Sequence, residues 1–397
     1  MKKIYLAAIA GNLGMLTVGQ YFGWASPTLP ILMQGKDETY PVRLTSEEAS
    51  WVSSLLMLGA MAGCVICVFI VNVIGRKNTM LFAAVPSITS WLMIAFATSS
   101  WELYISRFLA GLSTESPYQL MRRNARQKAI NSLIQLRGES DVYKEADDIE
   151  RSVQVDLTNN TGFRELLCMP GNRRALITVI SLNAIHQMSG VQAVEQYAEL
   201  IFDQTNNKLD GKYLTMILGT VQVICTIICM FITDRSGRKS LLIISAIGSA
   251  CSTAMVATYF QLQHNHVNTS NLTWLPAVGV IMYVIMFSVG LSPLPIAMIG
   301  ELFPTNVKAL GSTVTVIAAG VIAFSVTKLY LIIADNFGIH IPFWIFTACS
   351  LAGALFTFLY VPETKGKTLQ QIQKELHGSS GVKKNFRKKY FRVSFFC

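Results

Sequence analysis

Charge is what this chain has least of: Asp, Glu, Lys and Arg make up 14% of its 397 residues, while 52% are hydrophobic. A soluble domain carries about 25% charged residues, so an ordinary water-exposed surface is excluded. Histidine is scarce too, with five, and the eight cysteines fall within or beside apolar runs, on loops read below as cytoplasmic, or at the last residue. No structural disulfide and no zinc site are expected, because the Cys64/Cys67 and Cys225/Cys229 spacings lie inside apolar helices where cysteine is a small packing residue. Cys397 is the final residue rather than fourth from the end, which excludes prenylation. Met1-Lys2-Lys3 leads into an apolar run too long for a cleavable leader, so none is expected. The chain is not read as an enzyme, and no cofactor is expected.

What is there is a series of long apolar runs. Nine begin near Ile4, Trp51, Met80, Ala175, Leu214, Leu241, Leu275, Leu310 and Ile341, each long enough to cross a bilayer that needs ~20 apolar residues. A tenth, Trp101 to Ser113, is short and contains Glu102 and Arg107. The fold class is therefore an all-α polytopic membrane protein. Its net charge of +10 sits in the loops and reports topology, not a nucleic-acid partner. Lys2/Lys3, Arg76/Lys77, the stretch 122–174, Arg235/Arg238/Lys239, Lys308 and the tail after Lys365 are assigned to the cytoplasm. Both termini are then cytoplasmic, provided that the tenth run crosses by extending to about Leu120. Asn268 and Asn271 head two sequons on an outer loop and are glycosylation candidates, whereas Asn159 falls on an inner loop.

A repeat runs through the chain and does not match itself. Gly75-Arg76-Lys77 and Gly237-Arg238-Lys239 each join two apolar runs, and each half later carries an acidic turn at Glu115 or Glu363. Gly237 and Glu363 stand 126 residues apart, Gly75 and Glu115 only 40, a shortfall of 86 that equals about three membrane helices with their loops. The expected domains are a truncated N-terminal transmembrane bundle (1–113), a cytoplasmic helical linker (114–172), a six-helix C-terminal bundle (173–362) and a basic cytoplasmic tail (363–397). Within the linker, Leu120 to Gly138 reads as an amphipathic helix and Glu145 to Glu150 as an acidic one, either a bracket between the halves or a solvated linker. The tail from Lys383 to Arg392 suits anionic lipid, and positive-inside sorting explains it equally well.

Several segments together resemble the sugar porter family of the major facilitator superfamily, and within it the insect-type trehalose and hexose facilitators. They are Asp234-Arg235-Ser236-Gly237-Arg238-Lys239, Arg107-Phe108 with Gly111, Glu115-Ser116-Pro117, Pro293-Leu294-Pro295 with Glu301-Leu302-Phe303-Pro304, and Pro362-Glu363-Thr364-Lys365-Gly366-Lys367-Thr368. The resemblance implies a major facilitator fold in which part of helix 4 and all of helices 5 and 6 are absent. It implies facilitative transport of trehalose or a hexose across the plasma membrane by alternating access, with a sugar and the lipid bilayer as partners. Two alternatives stand beside this: a transport-incompetent shortened form, able to pair with an intact relative, and a proton-coupled porter resting on His186 and Glu195.

The resemblance also implies site residues. An inner gate and charge network would comprise Asp234, Arg235, Arg238, Glu301 and Glu363, with Arg76 and Glu115 in the first half, where Asn72 replaces the family acid and Val68 its usual glycine. Sugar recognition needs amides that donate and accept at once, with aromatics against sugar faces. Gln187, Gln192, Tyr197 and His186 stand where the family binds sugar, although His186, Glu195 and Gln196 depart from its pattern, as do Ile296 and Ala319-Gly320 elsewhere. Glu195 either serves a cavity or is an incidental acid; Lys328 lies mid-run, where a similar Val-Thr-Lys is familiar in the insect subgroup. Pro293 and Pro295 mark a helix break suited to gating.

Overall fold

The computed structural model describes residues 2–34, 41–74, 76–114, 163–205, 210–367, 371, 372 and 375. Glu115, the linker helices, Asn159 and the basic tail lie outside them. Among the described residues all regular structure is helical: α1 (Lys2–Gln34), α2 (Ser46–Ile74), α3 (Arg76–Ala95), α4 (Ser100–Thr114), α5 (Phe163–Cys168), α6 (Pro170–Met188), α7 (Val191–Asp203), α8 (Gly211–Arg235), α9 (Arg238–His264), α10 (Leu275–Val289), α11 (Leu294–Leu302), α12 (Thr305–Phe337) and α13 (His340–Tyr360).

Among the described residues, six spans are long and apolar enough to cross a membrane: Ser46–Cys67, Gly211–Thr233, Arg238–His264, Leu275–Leu302, Leu310–Phe337 and His340–Tyr360. The run expected from Ala175 is not among the six; it forms two helices, α6 and α7, divided at Gly190 and interrupted by glutamines. The run from Met80 yields a shorter apolar helix, Leu81–Ala95. The described part of α4 has 15 residues, about 22 Å at 1.5 Å per residue, against a hydrocarbon core of ~30 Å.

Local chemistry starts the helices where the sequence changes character. Thr45 and Glu48 form a reciprocal capping box at α2: the Thr45 N–H donates to Glu48 Oε2 at 2.9 Å, and the Glu48 N–H donates to Thr45 Oγ1 at 3.3 Å. At α4 the Glu102 carboxylate accepts the backbone N–H groups of Thr98 and Ser99, at 2.5 and 3.2 Å. Glu102 thus caps the start of α4 and is not a charge stranded within a span.

Consecutive long helices alternate in direction, which defines two ends. One carries residues 41–45, 96–99, 204, 205, 210, 265–274 and 338–339; the other carries 236–237, 303–304 and 361–367. In the first four helices, α2 packs on α4 so closely that Gly111 and Gly59 are required: a Cβ on Gly111 would stand 2.7 Å from Gly59 Cα. In the rest, α9 packs on α10 and α13, and α6 on α11, α12 and α13. The halves meet through α1 on α7 and α2 on α12. The contacts lie toward the 265–274 end, where the Glu199 N–H donates to Ser26 Oγ at 3.2 Å and the Lys328 ammonium to Ser50 Oγ at 2.8 Å.

Candidate functional site

The α6–α7 junction builds a ladder of amides. Gly190 takes φ +98°, a left-handed backbone that favours glycine, and a Cβ there would press on the Phe346 ring with Cγ at 2.8 Å. Ser189 finishes α6 by donating to the His186 carbonyl at 2.8 Å, and its hydroxyl also meets Tyr283 Oη at 3.1 Å. This break swings α7 so that Gln192 Nε2 donates to Gln187 Oε1 at 3.2 Å, while Gln196 Nε2 donates to Gln192 Oε1 at 3.3 Å. Gln196 Oε1 is buried without a hydrogen-bond partner, and Gln187 is partly exposed. The result is a polarised chain of side-chain amides with a free acceptor at one end and an accessible amide at the other.

The remaining candidates of this helix pair have different surroundings. Tyr197 is fully buried, donates to the Thr327 carbonyl at 3.1 Å and stacks on Tyr330 with ring centroids 5.2 Å apart, tying α7 to α12. Glu195 accepts from Gln222 Nε2 of α8 at 3.2 Å, and the His186 ring packs on Phe287 at 5.1 Å with its Nδ1 buried and without a hydrogen-bond partner. The two groups on which proton coupling would rest are therefore seated against different neighbours.

Between α10 and α11 the helix is interrupted from Gly290 to Pro293. Pro293 precedes α11 and Pro295 occupies its first turn, where a missing N–H breaks no helical bond. Gly290 lets the chain pass Leu241, whose carbonyl carbon would lie 2.9 Å from an added Cβ. Ser245 of α9, unnoticed in the sequence, staples the gap: its hydroxyl donates to the Met286 carbonyl at 2.7 Å and accepts the Leu291 N–H at 2.9 Å.

At the opposite end, three of the charged residues expected in a gate, Arg238, Glu301 and Glu363, meet at the start of α9. A helix N-terminus leaves backbone N–H groups without partners, and the residue before this one, Gly237, has no side chain to offer. Glu363 supplies the acceptor from far along the chain, with Oε1 on the Arg238 N–H at 2.9 Å and Oε2 on the Lys239 N–H at 3.2 Å. The same carboxylate accepts the N–H groups of Thr364 and Lys365, each at 3.0 Å. Partial burial pushes this carboxyl up, but backbone donation from Lys365, Arg238, Lys239 and Thr364 outweighs it and holds the acid below its ordinary value. Arg238 Nε also pairs with Glu301 Oε1 at 3.5 Å, linking α9 to α11. The side chains of Asp234, Arg235 and Arg76, and the whole of Glu115, lie outside the description.

Among the described residues of the first half, Arg107 is a fully buried cation. Arg107 of α4 donates to the Tyr21 carbonyl at 2.6 Å and the Val52 carbonyl at 3.2 Å, and its guanidinium lies 5.2 Å from the Trp24 ring centroid. Three helices converge on one side chain. Lys328, across the halves, sits 4.0 Å above the Trp51 ring. Asn268 and Asn271 are exposed, and Asn268 Oδ1 accepts the Ser270 N–H at 3.0 Å.

Two helical groups with broken helices near their contact, amides at one break and a charge cluster at one end, define a class: a multi-pass membrane carrier. The profile of the family described as "Sugar (and other) transporter" matches residues 8–114 and 113–376, and the chain belongs to that family, one of transporters and not of enzymes. It is 30% identical over 447 positions to the facilitated trehalose transporter Tret1 of Drosophila mojavensis, covering 94% of this chain and 51% of the relative. The Polypedilum vanderplanki Tret1 is 29% identical over 446 positions, with 94% and 88% covered. The chain spans about half the length of the Drosophila and Anopheles relatives it matches. An alignment of 447 positions to a chain of 397 residues contains a large gap on this side, and the two family segments meet at 113–114, beside the shortfall in the repeat. In fold the chain is similar to the inward-open xylose transporter XylE from E. coli, with TM-score 0.72 at 17% identity, covering 93% of this chain and 99% of that one. A D-xylose-proton symporter gives TM-score 0.67 at 18% identity, with 92% and 99% covered.

Proposed function

We propose that the chain carries the sugar site of a facilitative transporter for trehalose or a hexose, of the plasma membrane, with the 236–237 end and both termini in the cytoplasm. The observation that supports this most is the ladder Gln187–Gln192–Gln196 at the α6–α7 break. Sugar hydroxyls need partners that donate and accept, and an amide chain with an accessible end offers both. Gln187 and Gln192 take the sugar directly, with His186 beside them. Tyr197 holds α7 against α12 while the 265–274 end is closed and reaches the site only when they part. Arg238, Glu301 and Glu363, with Asp234, Arg235, Arg76 and Glu115, form the inner gate, and the break at Pro293 and Pro295 gives it a hinge. Asn268 and Asn271 face the extracellular side. The residues divide as a truncated bundle (1–113), a linker (114–172), a sugar-holding bundle (173–362) and a cytoplasmic tail (363–397).

A second reading concerns turnover and has its own support. Only 12% of the apolar window of α8 is buried within the chain, and the two family segments abut at 113–114. A first bundle without helices 5 and 6 has an incomplete wall and gate, so this chain binds sugar without completing the transport cycle unless the block is restored or an intact relative pairs with it. Saturation-transfer NMR of the purified chain with trehalose and with glucose tests the site. Signal from one of them that Gln187→Ala abolishes is expected, and equal signals from both proteins would remove the ladder from sugar binding.

A further inference from the structure

We propose that His264 and His340 form a two-histidine site for a divalent transition-metal ion, with zinc as its probe, at the 265–274 end of the second bundle. His264 closes α9 and His340 opens α13, and their ring centroids stand 4.8 Å apart with planes 41° from one another. His264 is exposed, whereas His340 is 5% exposed and its buried Nδ1 has no hydrogen-bond partner. A buried imidazole nitrogen left unsatisfied calls for an explanation.

Gly338, in the α12–α13 turn, supplies one. Gly338 has φ +93°, and the place where a Cβ would stand lies 2.9 Å from His340 Nδ1 and 3.6 Å from His264 Nδ1. Both nitrogens therefore turn toward the same glycine, at a place where any side chain would crowd them. Imidazole nitrogen binds zinc at ~2.1 Å, so a shared ion needs the two nitrogens within about 4.2 Å of each other. A turn of the exposed His264 side chain provides that approach. Imidazole suits zinc and copper, and magnesium prefers oxygen. Among the described residues no three His, Cys, Asp or Glu side chains converge, so water completes the coordination, which suits an ion arriving from solvent. The expectation of no metal site rested on the cysteine spacings. These two histidines meet only through the packing of α9 on α13. A bound ion would fasten the last turn of α9 to the α12–α13 turn and stiffen that end of the bundle.

The test is calorimetric titration of the full-length protein in detergent at pH 7.5 with zinc chloride, alongside its thermal unfolding with and without zinc. One equivalent should bind and raise the unfolding temperature, and magnesium should do neither. His264→Ala should unfold like the unaltered protein without zinc yet bind zinc at least about tenfold more weakly. His264→Cys, which supplies a thiolate in place of the imidazole, should keep the effect. Zinc binding by His264→Ala with unchanged affinity and stoichiometry would place the ion on other groups and overturn the proposal, as would a protein whose unfolding zinc leaves unmoved.

Discussion

Replacing Glu363 by alanine removes a side-chain acceptor that serves the start of α9. Two of its four backbone partners, the N–H groups of Arg238 and Lys239, belong to that helix. A hydrogen bond to a charged group contributes about 1.5–3 kcal/mol when buried; solvent screening of this half-buried carboxylate reduces each to ~1 kcal/mol. The negative charge at a helix N-terminus adds ~0.5 kcal/mol, for a total near 2.5 kcal/mol. Glu363→Gln keeps one neutral acceptor and should lose about half of that. The folded carboxyl titrates below its ordinary value of 4.5, so its stabilisation is fully present above that value and disappears as pH falls through the lower folded value. Thermal unfolding in detergent should therefore show Glu363→Ala roughly 2–5 °C below the unaltered protein at pH 7.5, with the gap narrowing toward pH 3. Equal stability at pH 7.5, or a gap unchanged at pH 3, would refute the assignment of Glu363 as the cap of α9.

Two further substitutions probe the first half. Arg107→Ala strands the Tyr21 and Val52 carbonyls and empties the space under Trp24, at a cost of ~3–5 kcal/mol; Arg107→Lys, with a single point of donation, should recover only part of it, as read by unfolding in detergent. Gly111→Ala drives a methyl against Leu56 O and Gly59 Cα and should cost ~1–3 kcal/mol, while Gly219→Ala on α8, with nothing within 4 Å, should be neutral or slightly stabilising in the same melts.

The sequence reveals most of the helices because apolar runs and loop charge are local properties, and the paired prolines at 293 and 295 mark their break for the same reason. The division at Gly190 is hidden: Ser189-Gly190 sits inside an apolar run, and the ring that requires the glycine, Phe346, belongs to α13. That break also explains why the ladder was only half legible. Gln192 and Gln196 are four apart and neighbours on any helix, but Gln187 and Gln192 are five apart and would point about 140° from one another on an unbroken one. Glu363 was readable as a partner of basic residues, not as the cap of a helix 125 residues away, because its strongest contacts are to backbone, which carries no sequence signal. Ser245 and Gln222 were missed for a related reason: a single serine or glutamine in a span acquires meaning only from the neighbour it meets.

The most direct test of the account is uptake of radiolabelled trehalose and glucose by cells expressing this chain, beside a version with the 86-residue block inserted at 113–114 from a close relative, at matched surface expression. The account predicts saturable uptake of one of these sugars by the completed chain and none by this one. Uptake by this chain alone at a comparable rate would contradict the claim that the absent helices are needed for transport.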